Sequence, residues 1–354
     1  MPVAATGGSI AVPEVAAPMA DRRRQRGRRR RLLLVLACIF WVITSALAVV
    51  AVMRIVAWDT YQPFAVLNDL TAFIYLPAWI IAVVAAIYRR PLLAGAALLV
   101  VVAQVVFMVP ELSAAEPVPA WAAHAPSFRM VDGNVYDGNP SMTGYARQID
   151  QVRPQLVTLE EATPPDVLEL QIDGALAHLP YRLQIKRFDP WAFLVASRYP
   201  ITHEHVVYEY GTPLIVQVTL GLPSGPQEVW VVHTVAPAPG AFSQWRGQLA
   251  VIDRLLRARG PAGLLLVGDF NATWGSEGFR QILDAGLTDG AAARGEPFAM
   301  TWSQIEPVVP PLVRIDHILT GPGLAVTQIR TDVGLGSDHR DLIATVATER
   351  RSRA

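Results

Sequence analysis

The chain has 354 residues, 52% of them hydrophobic, with a mean hydropathy of +0.32 and 30 basic against 30 acidic side chains. That length and hydropathy point to membrane-spanning segments beside one large domain, and the single cysteine, Cys38, excludes an intramolecular disulfide. Residues 121–354 hold 24 acidic and 19 basic side chains, a poor fit to non-specific polyanion binding, although a local basic groove would still admit nucleic acid.

In chain order, residues 1–20 are rich in Ala, Pro and Gly without apolar periodicity, and eight arginines follow between Arg22 and Arg31. Residues 1–31 are therefore expected to be a disordered basic tail, which reads as a cytoplasmic flank because a long apolar stretch comes directly after it. Residues 32–52 carry no charge over 21 positions, about 30 Å as a helix and enough to cross a bilayer. Ala46 and Ala48 also form a small-residue cleavage pattern, but the apolar stretch runs on past it, which favours an uncleaved anchor. Residues 70–88 and 92–109 read as two further spans, in which Pro77 and Gly95 are tolerable. Arg89 and Arg90 lie between these spans, whereas residues 53–69 hold Arg54 beside Asp59 and Asp69. The positive-inside rule then makes this a multi-pass cell-membrane protein with a cytoplasmic amino terminus and everything after residue 109 extracytoplasmic. Residues 110–127 contain four prolines and read as a stiff linker, 128–347 as a catalytic-sized domain, and 348–354 as a tail.

Within the domain, short apolar runs repeatedly end on metal-type or hydrogen-bonding side chains. Residues 128–135 read as a strand ending on Gly133 and Asn134, and residues 156–159 as one ending on Glu160 and Glu161. Helices are expected at 144–152, 165–177, 243–259 and 276–285, the last stopped by Gly286. Residues 215–220 and 229–232 resemble a hairpin, and His233 comes directly after it. Leu264, Leu265, Leu266 and Val267 form a buried-strand pattern that breaks at Gly268, leaving Asp269 and Asn271 at its carboxyl end. Asp316 interrupts an alternating stretch, a costly position unless it is paired or at a strand end, and Ser337, Asp338 and His339 precede a final apolar run.

The words GNV at 133–135, TLEE at 158–161, SRYP at 197–200, VVHTVAPAP at 231–239, GDFNAT at 268–273, RIDHIL at 314–319 and GSDHR at 336–340 occur in an informative order. Together they resemble the endonuclease/exonuclease/phosphatase superfamily of metal-dependent phosphoesterases, over about two thirds of the chain. The resemblance implies an α/β four-layered sandwich, two mixed sheets flanked by helices, here preceded by three transmembrane helices. It implies Mg²⁺, or Mn²⁺, held mainly by Glu161 with Asn134 and Asp338. It also implies that Asp269 orients or deprotonates the attacking water, that Asn271 donates to the phosphate, and that His339, oriented by Asp316, contacts the phosphate. His233 would be a second phosphate-side donor. Departures are Glu160 where the family often has Gln, Asp341 where Pro is common, and Thr234 where an aliphatic residue is usual; Asp341 is expected to add negative charge beside the site.

The superfamily spans nucleases, inositol-phosphate phosphatases and sphingomyelinases, so the substrate stays open. A three-span anchor with an outward domain resembles an envelope subgroup that includes vancomycin-resistance J type proteins, implying a phosphorylated substrate such as a membrane lipid phosphate or pyrophosphate at the lipid bilayer. The alternatives are an extracytoplasmic DNA or RNA nuclease and, in a different class, a non-enzymatic membrane binding module. No protein partner can be inferred.

Overall fold

The computed structural model describes residues 19–303 and 310–349. Its strands are β1 (Ser127–Asn134), β2 (Leu156–Glu160), β3 (Tyr181–Ile185), β4 (Phe193–Ser197), β5 (Ile201–Glu209), β6 (Thr212–Leu222), β7 (Gly225–His233), β8 (Leu264–Asp269), β9 (Thr288–Asp289), β10 (Asp316–Thr320), β11 (Leu324–Val333) and β12 (Arg340–Thr348). They form two six-stranded sheets, ordered β11-β12-β1-β2-β4-β3 and β5-β6-β7-β8-β10-β9. Each sheet is mixed, because β1 runs parallel to β2 and β7 parallel to β8 among antiparallel neighbours.

Strand alternation sorts the side chains into layers. Phe128, Met130, Leu156, Val229, Val231, Leu265 and Val267 meet between the sheets. Leu264 and Leu266 point the other way, under helices Phe242–Arg259 and Glu277–Asp284. Val157 and Leu159 likewise lie under helices Met142–Val152 and Pro164–Ile172. The result is the expected four-layered sandwich. Each parallel pair is joined by one crossover helix, so β1, β2, β7 and β8 all end at the same end of the sandwich. β12 and β10, antiparallel to β1 and β8, begin there. Strands β3, β5 and β11 have no counterpart among the elements expected from the sequence. They lie at or next to sheet edges and mix polar with apolar residues, as in ITHEHVVYE, so they present no apolar run.

The amino-terminal region departs from expectation in three places. Helix Met19–Val56 takes in both the first apolar stretch and residues 19–31, which the composition assigns to a disordered tail. Arginine is a good helix former and extends a helix already nucleated by an apolar span. The rest of the two expected tails, 1–18 and 350–354, lies outside the described residues. Among the described residues, Gln25–Val56 and Pro91–Leu112 are long and apolar enough to cross a membrane. Gln62–Asp69 and Thr71–Ile87 make a third candidate if taken as one span bent by 77°. Residues 53–69, expected to be a loop, therefore contain a helix, begun by Pro63 in its first turn. Its Ala65 is 1% exposed, buried in the cluster that holds Trp245 and Phe270 of the sandwich. The proline-containing linker also lies on the domain: Glu116 N donates to Ala293 O at 3.0 Å, and Ala122 packs on Ala325 and Ala347.

Candidate active site

The eight residues singled out in the sequence meet at the common strand end. Sheet register explains three of the eight: His233 of β7 pairs with Asp269 of β8, and Asp269 pairs with Asp316 of β10. These three therefore stand side by side on neighbouring strands. The other sheet contributes Asn134 at the end of β1, Glu161 just past β2, and Asp338 and His339 just before β12. The site thus straddles the two sheets.

Contacts link all eight. Asn134 Nδ2 donates to Glu161 Oε1 at 2.9 Å and to Asp269 Oδ2 at 3.2 Å. His233 Nε2 lies 3.7 Å from Glu161 Oε1 and 3.8 Å from Asp269 Oδ2. His339 Nδ1 lies 3.0 Å from Asp316 Oδ2, while its Nε2 is 3.8 Å from Asp269 Oδ2 and 3.9 Å from Asp338 Oδ1. Asn271 N donates to Asp269 Oδ1 at 2.8 Å, and its side-chain nitrogen donates to Thr234 O at 2.9 Å and to Asp269 Oδ2 at 3.3 Å. Asn271 and Glu161 both adopt left-handed backbone conformations, with φ of +46 and +58. Such conformations are uncommon for residues other than glycine and are held here by surrounding contacts.

The left-handed turn at Glu161 settles which of the paired glutamates serves the site. Along β2, Leu156, Thr158 and Glu160 face the other sheet, so Glu160 is sealed in the interior, where neither carboxylate oxygen has a partner. Burial, with Asp132 and the site carboxylates nearby, pushes its carboxyl well up and keeps it a neutral acid. A neutral glutamic acid has nearly the shape of a glutamine. Glu161, past the strand, keeps 14% side-chain exposure, and its other oxygen accepts from Asp137 N.

Electrostatics divides the two histidines. Burial works to lower His339, but the adjoining Asp316 carboxylate outweighs it, with Asp269 and Asp338 behind, and the ring is pushed up to about 10. It is therefore an imidazolium at neutral pH. Burial lowers His233, and the nearby His339 charge lowers it further, so it stays neutral. Burial and the neighbouring Asp316 push Asp269 up to about 8.

Asp269, Asp316 and His339 can bring three donor atoms within 4.8 Å of one another, close enough for one ion. A protonated imidazole does not ligate a metal, so within this trio only the two carboxylates would serve a cation, and Glu161 approaches the same place through Asn134, whose side-chain nitrogen donates to both Glu161 and Asp269. Asn134 Nδ2 already sits between two of these carboxylates, in the place a cation would take, and its own oxygen accepts from Tyr136 N. Ligation by that oxygen needs the amide turned over. Oxygen donors with one positive ring among several carboxylates suit a hard divalent ion.

Asp341 does not act as expected. It is 1% exposed, accepts from Tyr145 Oη at 2.8 Å and from Gln148 Nε2 at 3.1 Å, and burial pushes its carboxyl up to about 8. At neutral pH it is mostly protonated and adds little charge to the site. Four further residues stand at the site to which the sequence assigns no role. Trp302 Nε1 donates to Asp338 Oδ2 at 3.1 Å, Trp191 stacks obliquely on His233 with centroids 5.0 Å apart, and Thr301 Oγ1 accepts from the amides of Ile315 and Asp316. Ser337 Oγ donates to Asn134 O and accepts from His339 N, tying the two sheet-end loops together. Of these only Ser337 lies within a recognised word.

Solved structures share the fold at low identity. A D. rerio TDP2 complexed with a single-strand DNA product is 16% identical, with 63% of this chain and 99% of that one covered and a TM-score of 0.53. A truncated Caenorhabditis elegans TDP2 is 15% identical over 63% and 98%, with a TM-score of 0.51. Sphingomyelinase C from Streptomyces griseocarneus is 17% identical over 62% and 99%, with a TM-score of 0.45. No curated protein sequence matches the chain. The family model for the endonuclease/exonuclease/phosphatase family matches residues 131–339, which span every strand-end residue of the site, and the chain belongs to that family of metal-dependent phosphoesterases.

Proposed function

We propose that this protein is a membrane-anchored, divalent-metal-dependent phosphoesterase that hydrolyses lipid-linked phosphoester or pyrophosphate bonds outside the cytoplasmic membrane. The observation that carries the hydrolytic reading is the junction of Asp269 with the Asp316–His339 pair at the common strand end. Phosphate esters resist attack by water because negative oxygens repel the nucleophile, and enzymes overcome this chiefly by placing positive charge and fixing geometry. The His339 imidazolium supplies a fixed positive charge facing the phosphate. Burial and Asp316 raise Asp269 to about 8, so its ionised form, which a cation bound beside it would favour, is a stronger base than an ordinary carboxylate and would take the proton of the attacking water. Asn271 holds Asp269 through its backbone amide, and its side-chain hydrogen that reaches Asp269 at only 3.3 Å is the one free to turn to a phosphate oxygen. Neutral His233 is a second donor. Glu161, with Asn134 and Asp338, would hold Mg²⁺ or Mn²⁺, which when bound polarises the phosphate and neutralises its charge.

The lipid reading is supported by the two or three candidate spans, by the contact of the membrane segment with loops beside the site, and by the acidic balance of the domain. The arginines at 22–31 and 89–90 support a cytoplasmic amino terminus and an extracytoplasmic catalytic domain. This arrangement is that of the envelope subgroup resembling vancomycin-resistance J type proteins. The test is phosphate release by the detergent-solubilised chain with Mg²⁺ or Mn²⁺, offered a polyprenyl pyrophosphate or DNA, with Asp269→Ala and His339→Ala as controls. Turnover of the lipid that vanishes in both variants is expected. Efficient cleavage of DNA with every lipid phosphate ignored would overturn the lipid assignment in favour of a nuclease, and inertness toward both would favour a binding role.

A further inference from the structure

The stretch after Asn271 has no regular structure until helix Glu277–Asp284 begins, yet it must hold Asn271 in a left-handed conformation against Asp269. What holds it comes from the membrane segment. Asp69 Oδ1 accepts from Thr273 Oγ1 at 2.8 Å, from Ser276 Oγ at 2.7 Å and from Thr273 N at 3.3 Å. Trp58 Nε1 donates to Gly275 O at 2.7 Å. Gly275 lies flush on the same segment: a Cβ there would stand 2.0 Å from Asn68 O.

The start of helix Glu277–Asp284 is capped from the same source. Ser276 occupies its N-cap position but makes no side-chain cap bond, because its hydroxyl is turned to Asp69. Asp59 takes over that duty, its Oδ2 accepting from Glu277 N at 2.5 Å while its Oδ1 accepts from Asn68 Nδ2. On the other side of the site, Gln62 Nε2 donates to Pro237 O, in the loop after His233. Residues 58–69 thus touch the loops behind two of the site's strand ends.

We propose that Asp69 is a positioning residue for the catalytic loop: by fastening Thr273 and Ser276 it keeps Asn271 beside Asp269, which makes the membrane bundle a working part of the active site. This rests on the phosphoesterase reading for its kinetic half only. A carboxylate is suited to the role because one oxygen gathers three donors, two hydroxyls and an amide, that no residue of the loop itself satisfies together. Displacing a reacting group by even about 1 Å costs on the order of a hundredfold in rate.

The test uses the full chain in detergent micelles and compares wild type, Asp69→Ala and Asp69→Asn. Hydrogen exchange is followed in the peptide covering residues 270–277, and kcat and KM are measured on bis(p-nitrophenyl) phosphate with Mn²⁺. Asp69→Ala is expected to quicken exchange in that peptide and to lower kcat by roughly ten- to a hundredfold with KM within about twofold. Asp69→Asn, which keeps an acceptor oxygen, is expected to restore both readouts. Thr273→Val removes a donor from the other partner and decides the matter if Asp69→Ala does not fold; it should show the same kcat loss at unchanged KM. Unchanged exchange in 270–277, or a lowered melting temperature with normal kcat, would overturn the proposal. Quickened exchange in a protein whose wild type is inert toward every phosphoester would instead sink the phosphoesterase reading and leave the fastening by Asp69 standing.

Discussion

Asp316 stands between the two residues that face each other across the site: it is the register partner of Asp269 on β8, and its carboxylate lies 3.0 Å from His339 Nδ1. One carboxylate thereby raises both neighbours, keeping the imidazole protonated and making Asp269 more basic. Asp316→Asn should lower kcat by about 10²- to 10³-fold, the usual scale for loss of one oriented electrostatic group. Without Asp316, burial is left to dominate His339, so the ring should lose its proton at lower pH and the alkaline limb of the pH–rate profile should move down. An alkaline limb that stays in place would show that His339 does not depend on Asp316.

Metal dependence should track Glu161. Chelation is expected to abolish turnover and Mg²⁺ or Mn²⁺ to restore it. Glu161→Gln should raise the metal concentration for half-activity by at least roughly tenfold. The corresponding Glu160→Gln change should be close to neutral, because Glu160 is already held as an uncharged acid in the interior. Metal titrations of the two variants side by side check this, and equal effects would refute the division of labour between the two glutamates.

Arg314 is 3% exposed and joins the long apolar helix Pro91–Leu112 to the sandwich: its guanidinium meets Glu111 at 2.6 Å and Asp289 at 2.5 Å, with His317 Nδ1 3.0 Å away. Arg314→Met leaves Asp289 buried without a partner charge, which typically costs about 3–5 kcal/mol. Glu111→Gln, at a carboxylate that retains 20% exposure, should cost less. Thermal melting in detergent tests the ranking, and an Arg314→Met variant that melts like wild type would contradict it.

Asp341 supplies a stability prediction with a defined sign. Its folded carboxyl lies near 8 against an ordinary 3.8, so the stability tied to its protonated form is complete below about 3.8 and is lost as pH rises through about 8. Asp341→Asn, neutral throughout, should gain melting temperature over wild type, and gain more at pH 9 than at pH 5. Gln148 Oε1, buried without a partner, can receive the new amide once the Gln148 amide turns. A pH-independent difference would refute this assignment.

The site was more legible in the sequence than the scaffold was, for a physical reason. Asp269, Asn271, Asp316, Asp338 and His339 are polar groups set directly against apolar strands, so each marks a strand end, and register then brings the strand ends together. Edge strand β5 carries its apolar residues among His, Glu and Tyr and leaves no such mark. Trp302 was invisible because it reaches Asp338 only through tertiary folding, from a segment that no word identifies. Only the family resemblance separates Glu161 from Glu160 in the sequence; the physical reason is tertiary, since strand parity seals Glu160 inside while a single left-handed turn delivers Glu161. The helix at Gln62–Asp69 was hidden because its apolar residues are too few for a span and divide between two partners, Ala65 on the sandwich and Phe64 and Leu67 on the amino-terminal helices.

That short helix also bears on how the protein can be dissected. A fragment cut after Leu112 would carry a raw face: the socket filled by Ala65, an open glycine at 275, and the Thr273, Ser276 and Glu277 donors that now end on Asp69 and Asp59. A soluble version would have to be engineered by refilling that socket and recapping the helix, because deletion alone would take away part of the catalytic half of the molecule.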